Sequence, residues 1–172
     1  GQETRDFSNI HSSRMIHADT ALTGLALLSF FGAGHTHLNS PYRENIEQGI
    51  QFLFSQQSAS TGSLAGNAGP FVAMYCHGIA AIALCEAFGM TKDARLREPA
   101  QKAIDYIAAS QHPKFGGWRY EPQFESDTSV SGWQLMALKS GEMAGLNIPQ
   151  ATYAGVATWL DTVEDAENAG RF

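Results

Sequence analysis

The feature that most constrains the fold of this chain is an internal repeat with a period of 54 residues. Gln57–Leu64 aligns without gaps with Gln111–Trp118, and the match places Gly62 on Gly116. The same shift relates further positions: Arg43 and Arg97, Glu44 and Glu98, Ile50 and Ile104, and Gly24, Gly78 and Gly132. Self-similarity at a fixed period of this order is typical of stacked supersecondary units, so the sequence predicts an array of repeats.

Each period contains an apolar segment followed by an amphipathic one. The apolar segments are Ala21–Phe31, Phe71–Phe88 and Val130–Ala144, and the amphipathic ones span about 42–53, 91–110 and 149–163. A helix that is apolar on all sides is buried, whereas a one-sided apolar stripe indicates a helix at the surface. We therefore expect buried and surface helices in alternation, with a first helix buried on nearly all sides.

Residues that start or stop helices border these segments. Asp19 or Thr20 is the expected N-cap of the first apolar helix. Pro70 is expected to open the second apolar helix and Gly89 to close it.

These elements predict an all-α fold made of α/α hairpin repeats. Residues 1–17 form a lead-in, and the repeats span about 18–69, 70–125 and 126–172 of a single domain. Three hairpins bury each other's faces but leave an apolar edge at both ends, and a closed ring needs more of them. We therefore expect either part of a longer protein or a homodimer that covers these edges.

The overall charge and the cysteines limit the function classes. A net charge of −6 without a basic cluster argues against a nucleic-acid partner. The sequence has no apolar run of about 18 residues, so no transmembrane segment is expected. Cys76 and Cys85 would lie roughly 13 Å apart on one helix, too far to bridge, and two free thiols suit a reducing compartment such as the cytoplasm.

The loops after the amphipathic segments carry a family resemblance. A helix ending in Gln111, followed by Gly116-Gly117-Trp118, resembles the QW repeat of squalene–hopene and oxidosqualene cyclases. The copy at Gln57 has Leu64 in place of the tryptophan, and a third copy has Glu164, Gly170 and Phe172. The chain after about residue 18 thus resembles the prenyltransferase/squalene-oxidase repeat family. The resemblance implies a partial α/α toroid of the terpenoid cyclase and protein prenyltransferase type.

The loop residues are expected to have a structural role, with ligand binding at the loop as the alternative. Gln57 and Gln111 can hydrogen-bond backbone groups left unpaired at helix ends. Trp118 offers a broad apolar face for packing, and Gly116 permits a tight return of the chain.

Asp127 is the one candidate for a catalytic residue. In the cyclases a D-x-D-D-T-A motif supplies the initiating acid, and residues 124–129 of this chain occupy the matching place. Only Asp127 and Thr128 agree with the motif, and the proton-donor position holds Ser126, which is far too weak an acid. Asp127 also has a counterpart in Asp19, which favours helix capping for both. We do not expect cyclisation by this chain alone.

Prenyltransferase β subunits bind zinc through Asp, Cys and His, so the resemblance makes a zinc site a candidate to consider. Cys76 and His77 are adjacent and diverge by about 100° on a helix, so they do not easily bind one metal. Asp127 could meet one of them, and His35 and His37 add imidazoles, but no ligand spacing supports zinc. We expect no cofactor, and a hydrogen-bonded role for His77.

Two functions follow from these observations. In the first, the chain is a cyclase-like module whose inner surface, lined by Tyr75, His77 and Trp133, binds an apolar isoprenoid-like ligand. In the second, it is a non-enzymatic repeat module that binds another protein or another part of its own chain.

Overall fold

The computed structural model describes residues 17–164, and this part of the chain is all-α, with six helices and no strand. The helices are α1 (Asp19–Gly32), α2 (Arg43–Gln56), α3 (Pro70–Thr91), α4 (Ala94–Ser110), α5 (Thr128–Ala144) and α6 (Gln150–Val163). The lead-in up to residue 16 and the third loop copy, at Gly170 and Phe172, lie outside the described residues. The division into three repeat units stays a prediction.

The six helices pack in two layers. Helices α1, α3 and α5 lie side by side with α3 in the middle, and we call them the inner layer. Helices α2, α4 and α6 pack behind α1, α3 and α5 respectively, and α4 also touches α5. Apolar sequence segments therefore form one layer and amphipathic segments the other, as their composition requires.

Helix α3 is the centre of the core. Every residue from Cys76 to Cys85 is buried, because α1, α5 and α4 cover three of its sides. Among the described helices, α3 alone is long and apolar enough to cross a membrane, and 72% of its most apolar window is buried inside the protein. That degree of burial is typical of the core helix of a packed domain.

The end of α3 differs from the prediction. The helix continues past Gly89, which packs against Ala144 of α5, and it stops at Lys92 with a φ of 53°. The Lys92 ammonium then donates a hydrogen bond to the Ala144 carbonyl at 2.7 Å. Contact with α5 thus extends the helix beyond the glycine that would otherwise have ended it.

The prediction that α1 is buried on nearly all sides is wrong. Leu22 is 63% exposed and Leu25 is 43% exposed. Helix α1 contacts α3 on one side and α2 behind, and no described helix covers its far side. The expected cap is also wrong: Ala18 occupies the N-cap position without a side-chain hydrogen bond, and Asp19 is the first helical residue.

Two glutamines join the hairpins by equivalent hydrogen bonds. The Gln57 side-chain amide donates to the carbonyls of Gly62 and Pro99, at 3.2 and 2.9 Å. Gln111 donates to the carbonyls of Gly116 and Thr152, at 2.7 and 2.9 Å. Each glutamine therefore closes its own loop and holds the following helix of the outer layer, rather than pairing groups at helix ends.

Trp118 is buried and contacts both α4 and α5. Its ring is 1% exposed, and its indole N–H donates to the Ile107 carbonyl of α4 at 2.8 Å. Its backbone N–H donates to the Ser131 hydroxyl at 2.9 Å. Gly116, with a φ of 78°, passes so close to Gly155 that a side chain would overlap the backbone of α6. The loop is thus built into the core.

Glycines set the spacing of the inner layer. A methyl group on Gly24 would lie 3.1 Å from the Ile79 carbonyl oxygen of α3, and one on Gly78 would lie 2.8 Å from the Gln134 amide of α5. At the equivalent position of α5, a methyl group on Gly132 would meet no described atom within 4 Å. Two glycines therefore mark close helix contacts, and the third marks an uncovered edge.

Substitution of these glycines tests this packing. We expect Gly78→Ala to destabilise the protein by about 1–3 kcal/mol, because it displaces the buried Gln134, whose amide donates to the Met74 carbonyl at 2.9 Å. We expect Gly132→Ala to stabilise it by about 0.5–1 kcal/mol, because alanine favours an uncrowded helix position. Urea unfolding measures both, and equal effects of the two substitutions would contradict the assigned packing.

Candidate functional site

One side of α3, which we call its open side, is covered by no other described helix, although neighbouring side chains leave only 7% of Ile79 and 7% of Ile82 exposed. Tyr75, Ile79, Ile82 and Glu86 recur at helical spacing, so they share one side of the helix. His77, roughly on the opposite side, contacts the Ala103 carbonyl of α4. The open side of α3 therefore faces away from the outer layer.

Helices α1 and α5 continue this side across the inner layer, with Leu25 and Met136 exposed and Ile79 and Ile82 buried between them. Their corresponding residues lie 54 positions before and after those of α3, which gives two apolar rows across the layer. We call this surface the inner face; it consists of Leu25, Leu28, Tyr75, Ile79, Ile82, Glu86, Ser129, Trp133, Met136 and Ser140. One row is Leu25, Ile79 and Trp133, and the other is Leu28, Ile82 and Met136.

A cavity of about 250 Å³ opens on the inner face between α1 and α3. Its lining is apolar except for one carboxylate: Leu28, Phe31, Gly32, Ile82, Met90 and Glu86. Gly32 contributes no side chain to α1 at this point, which leaves room beside Glu86. The cavity is a depression in an apolar surface with one polar group, Glu86, in its lining.

Glu86 was not among the residues singled out from the sequence. Its carboxylate accepts a hydrogen bond from the Ser140 hydroxyl of α5 at 2.7 Å, across the inner face. Glu86 is the only charged residue of the apolar run Phe71–Phe88. A lone carboxylate in a helix that is otherwise apolar was the available signal, since such a group is rarely placed in a core helix without a partner.

A second polar group lies at the other end of the inner face. The Ser129 hydroxyl donates to the Asp127 carboxylate at 2.6 Å, and the Tyr75 hydroxyl lies 2.6 Å from Ser129. Because the Ser129 proton is directed at Asp127, Tyr75 is the donor in its own hydrogen bond to Ser129. The chain of hydrogen bonds ends at Asp127.

Asp127 caps α5 and is a poor acid. Its carboxylate accepts from the Val130 backbone N–H at 3.0 Å, which confirms the predicted N-cap. Burial raises the pKa of Asp127, but hydrogen bonds from Ser129 and Val130 outweigh it and leave the pKa below its usual value. Ser126, in the proton-donor position of the motif, accepts from the Gly117 N–H at 3.2 Å. An ionised Asp127 cannot donate a proton near neutral pH.

Of the three residues expected on the ligand surface, Tyr75 and Trp133 lie on the inner face and His77 does not. His77 is 0% exposed. Its Nδ1 accepts from the Leu64 N–H at 3.0 Å, and its Nε2 donates to the Ala103 carbonyl at 3.2 Å. Burial lowers the pKa of His77 to about 3, so the ring is neutral. His77 is a structural core residue, because it points towards α4.

The residues considered for zinc do not come together. In the described range 17–164, no group of three or more His, Cys, Asp and Glu side chains could hold a metal ion. Cys76 and Cys85 are free and buried. His35 instead packs edge-on against Tyr42, with ring centroids 5.0 Å apart, and His37 pairs with Asp93.

His37 belongs to a charged network that joins the first two hairpins. Its Nε2 lies 2.9 Å from the Asp93 carboxylate, and Arg95 bridges Asp93 to Glu47. Hydrogen bonds from Arg95 hold the pKa of Asp93 below its usual range. An open cavity of about 460 Å³ lies beside these residues. Because the charged groups satisfy one another, the network ties α2 to the start of α4.

Comparison with protein-family models, with curated proteins and with solved structures found no match for this chain.

Capping by Asp127 can be measured directly. We expect Asp127→Ala to lower the free energy of unfolding by about 1 kcal/mol and Asp127→Asn to lower it much less, because asparagine also caps helices. The carboxylate contribution is present above pH 3.8, the usual Asp value, and is lost as the pH falls through the lower folded pKa. Urea unfolding of both variants at pH 7 and at pH 3 measures these differences.

Asp19→Ala is the matched control, since Asp19 has no capping hydrogen bond. A loss from Asp19→Ala as large as that from Asp127→Ala would contradict the assignment of the cap.

Proposed function

We propose that this chain is a squalene-cyclase and prenyltransferase-like repeat module, part of an α/α toroid, whose inner face binds an apolar isoprenoid-like ligand. The observation that carries this proposal is the pair of apolar rows on the open side of α1, α3 and α5. A long hydrocarbon that lies across three helices would contact mainly Leu28 and Met136, because Ile82 between them is only 7% exposed. Removal of such apolar surface from water supplies the affinity.

The recurrence of contacts supports the toroid part of the proposal. The hydrogen bonds of Gln57 and Gln111, and those of the Leu64 and Trp118 amides with His77 and Ser131, occupy equivalent positions. A closed ring needs each hairpin to contact the next in the same way. The uncovered side of α5 at Gly132 suits a further hairpin of the same kind.

The ionised state of Asp127 favours binding over cyclisation. Protonation of an alkene or epoxide needs a protonated carboxylic acid, and Asp127 is held ionised by its hydrogen bonds. Ser126 holds the preceding loop instead. The module would therefore bind or enclose a ligand without cyclising it alone.

The size of the cavity bears on how the ligand would lie. A volume of about 250 Å³ is below the roughly 300–1,000 Å³ of sites that enclose drug-sized ligands. The cavity therefore suits one end of a long ligand, while the remainder would lie across the apolar rows towards Trp133.

The alternative is a protein-interaction module. Phe71 is 66% exposed and Met143 is 77% exposed, at opposite ends of the inner layer. Large exposed apolar side chains at both ends of an apolar face are typical of a surface that binds another protein. A partner protein or another segment of the same polypeptide would cover them.

Binding of trans-β-farnesene, a prenyl hydrocarbon without a head group, tests the ligand proposal. We expect saturable binding that changes the fluorescence of Trp133, with the change lost in Trp133→Phe. Met136→Glu should weaken affinity at least about tenfold, because a charge would lie under the hydrocarbon. Fluorescence titration with gel-filtration retention of the hydrocarbon gives both measurements.

Leu22→Glu is the matched control, because Leu22 is exposed on the edge of α1 and lies outside the inner face. Its affinity for farnesene should stay within about twofold of the parent protein. If farnesene does not bind, or if both variants bind equally, the ligand proposal fails and the protein-interaction alternative remains.

Light scattering tests whether the exposed edges pair. We expect concentration-dependent dimers that Leu22→Glu disrupts, since Leu22 lies on the uncovered side of α1. Met136→Glu, on the inner face, should leave the dimer intact. A parent protein that stays monomeric at high concentration would contradict a homodimer formed through this edge.

A further inference from the structure

Glu86 is the one carboxylate in the lining of an otherwise apolar cavity, and in the described part of the chain it makes no ion pair. Its one hydrogen bond is to the Ser140 hydroxyl, at 2.7 Å through Oε1. The other walls of the cavity are apolar: Leu28, Phe31, Gly32, Ile82 and Met90. An ionised carboxylate has about four acceptor positions, so most of its hydrogen-bonding capacity is unused by the protein.

The lysine that follows Glu86 at the end of α3 and the lysine that precedes Ser140 on α5 both have other partners. Lys139 pairs with Glu142 at 2.5 Å. Lys92 donates to the Ala144 carbonyl and lies over the Phe88 ring. Neither ammonium pairs with Glu86, so Glu86 is the one formally charged residue in the lining of the cavity, within a chain whose own net charge is −6.

We propose that Glu86 selects the head group of the inner-face ligand: it accepts a hydrogen bond from a prenyl alcohol or a prenyl amine, and it excludes prenyl diphosphates. This inference rests on the proposed function and adds the chemistry of the ligand's polar end. A hydroxyl or ammonium group supplies a further donor to the half-buried carboxylate, which otherwise accepts from Ser140 alone, while the prenyl chain follows the apolar rows away from Glu86.

Exclusion of a diphosphate follows from the same geometry. Sites that bind phosphate groups present cationic side chains or clustered backbone N–H groups. The cavity presents a carboxylate, and its backbone lies in the interiors and C-terminal halves of α1 and α3, where the helix dipole is negative rather than positive. An anionic head would therefore meet repulsion and find no donor.

A series of four ligands with the same prenyl chain tests this selection: farnesene, farnesol, farnesylamine and farnesyl diphosphate. With the parent protein, we expect farnesol and farnesylamine to bind at least about tenfold more tightly than farnesyl diphosphate. In Glu86→Gln, affinity for farnesylamine should fall about tenfold or more, because a charge-assisted hydrogen bond is lost. Farnesol should change less than about threefold, since the amide oxygen still accepts, and farnesene should not change.

Glu98→Gln is the matched control. It removes the same charge from the outer layer, where Glu98 pairs with Lys102, and should leave all four affinities unchanged. Circular dichroism and urea unfolding of each variant confirm that the fold is retained.

The outcomes separate this inference from the proposed function. If farnesene binds but farnesyl diphosphate binds as tightly as farnesol, or Glu86→Gln does not weaken farnesylamine, the selection by Glu86 is overturned and the apolar site stands. If none of the four ligands binds, both proposals are overturned.

Discussion

The burial of α3 on three sides is the constraint on which the rest of the structure depends. Helices α1 and α5 reach α3 closely only because Gly24 and Gly78 carry no side chains at the contacts, and α4 covers the side opposite the inner face. Helix α3 therefore has one side that no helix covers, and most residues on that side are apolar. The inner face is thus a consequence of how the core is packed rather than a separate addition to it.

The sequence predicted the helical elements and their alternation because hydrophobic period is a local property. It predicted the burial of α1 wrongly, since burial depends on the neighbours of a helix, and α1 has no described neighbour on the side of Leu22. His77 illustrates the same limit: the sequence predicted its hydrogen-bonded role but also placed it on the ligand surface, and only the position of α4 shows that it points away from the inner face. A single charged residue does not change the hydrophobic periodicity of a helix, so the sequence pattern did not single out Glu86.

The loop motif and the candidate acid both have structural roles in the described part of the chain. Gln111 uses its amide to close a loop and hold α6. Asp127 uses its carboxylate to cap α5. A carboxylate that accepts several hydrogen bonds is stabilised in its ionised form, which is the opposite of what a proton donor needs. The hydrogen bonds by which Asp127 caps α5 therefore also keep its carboxylate ionised.

The uncovered sides of the inner layer bear on how the proposed ligand would bind. The position of Gly132 is uncovered, as is the side of α1 at Leu22, and the cavity at Glu86 has a volume of only about 250 Å³. A curved layer of more such hairpins would turn the inner face from one wall into an enclosed cavity, and each added helix would extend the apolar rows. In that arrangement Glu86 and the Tyr75–Ser129–Asp127 chain would be polar groups at opposite ends of an apolar interior. Of these two polar groups, Glu86 has fewer hydrogen bonds from the protein. We therefore place the head group of the proposed ligand beside Glu86.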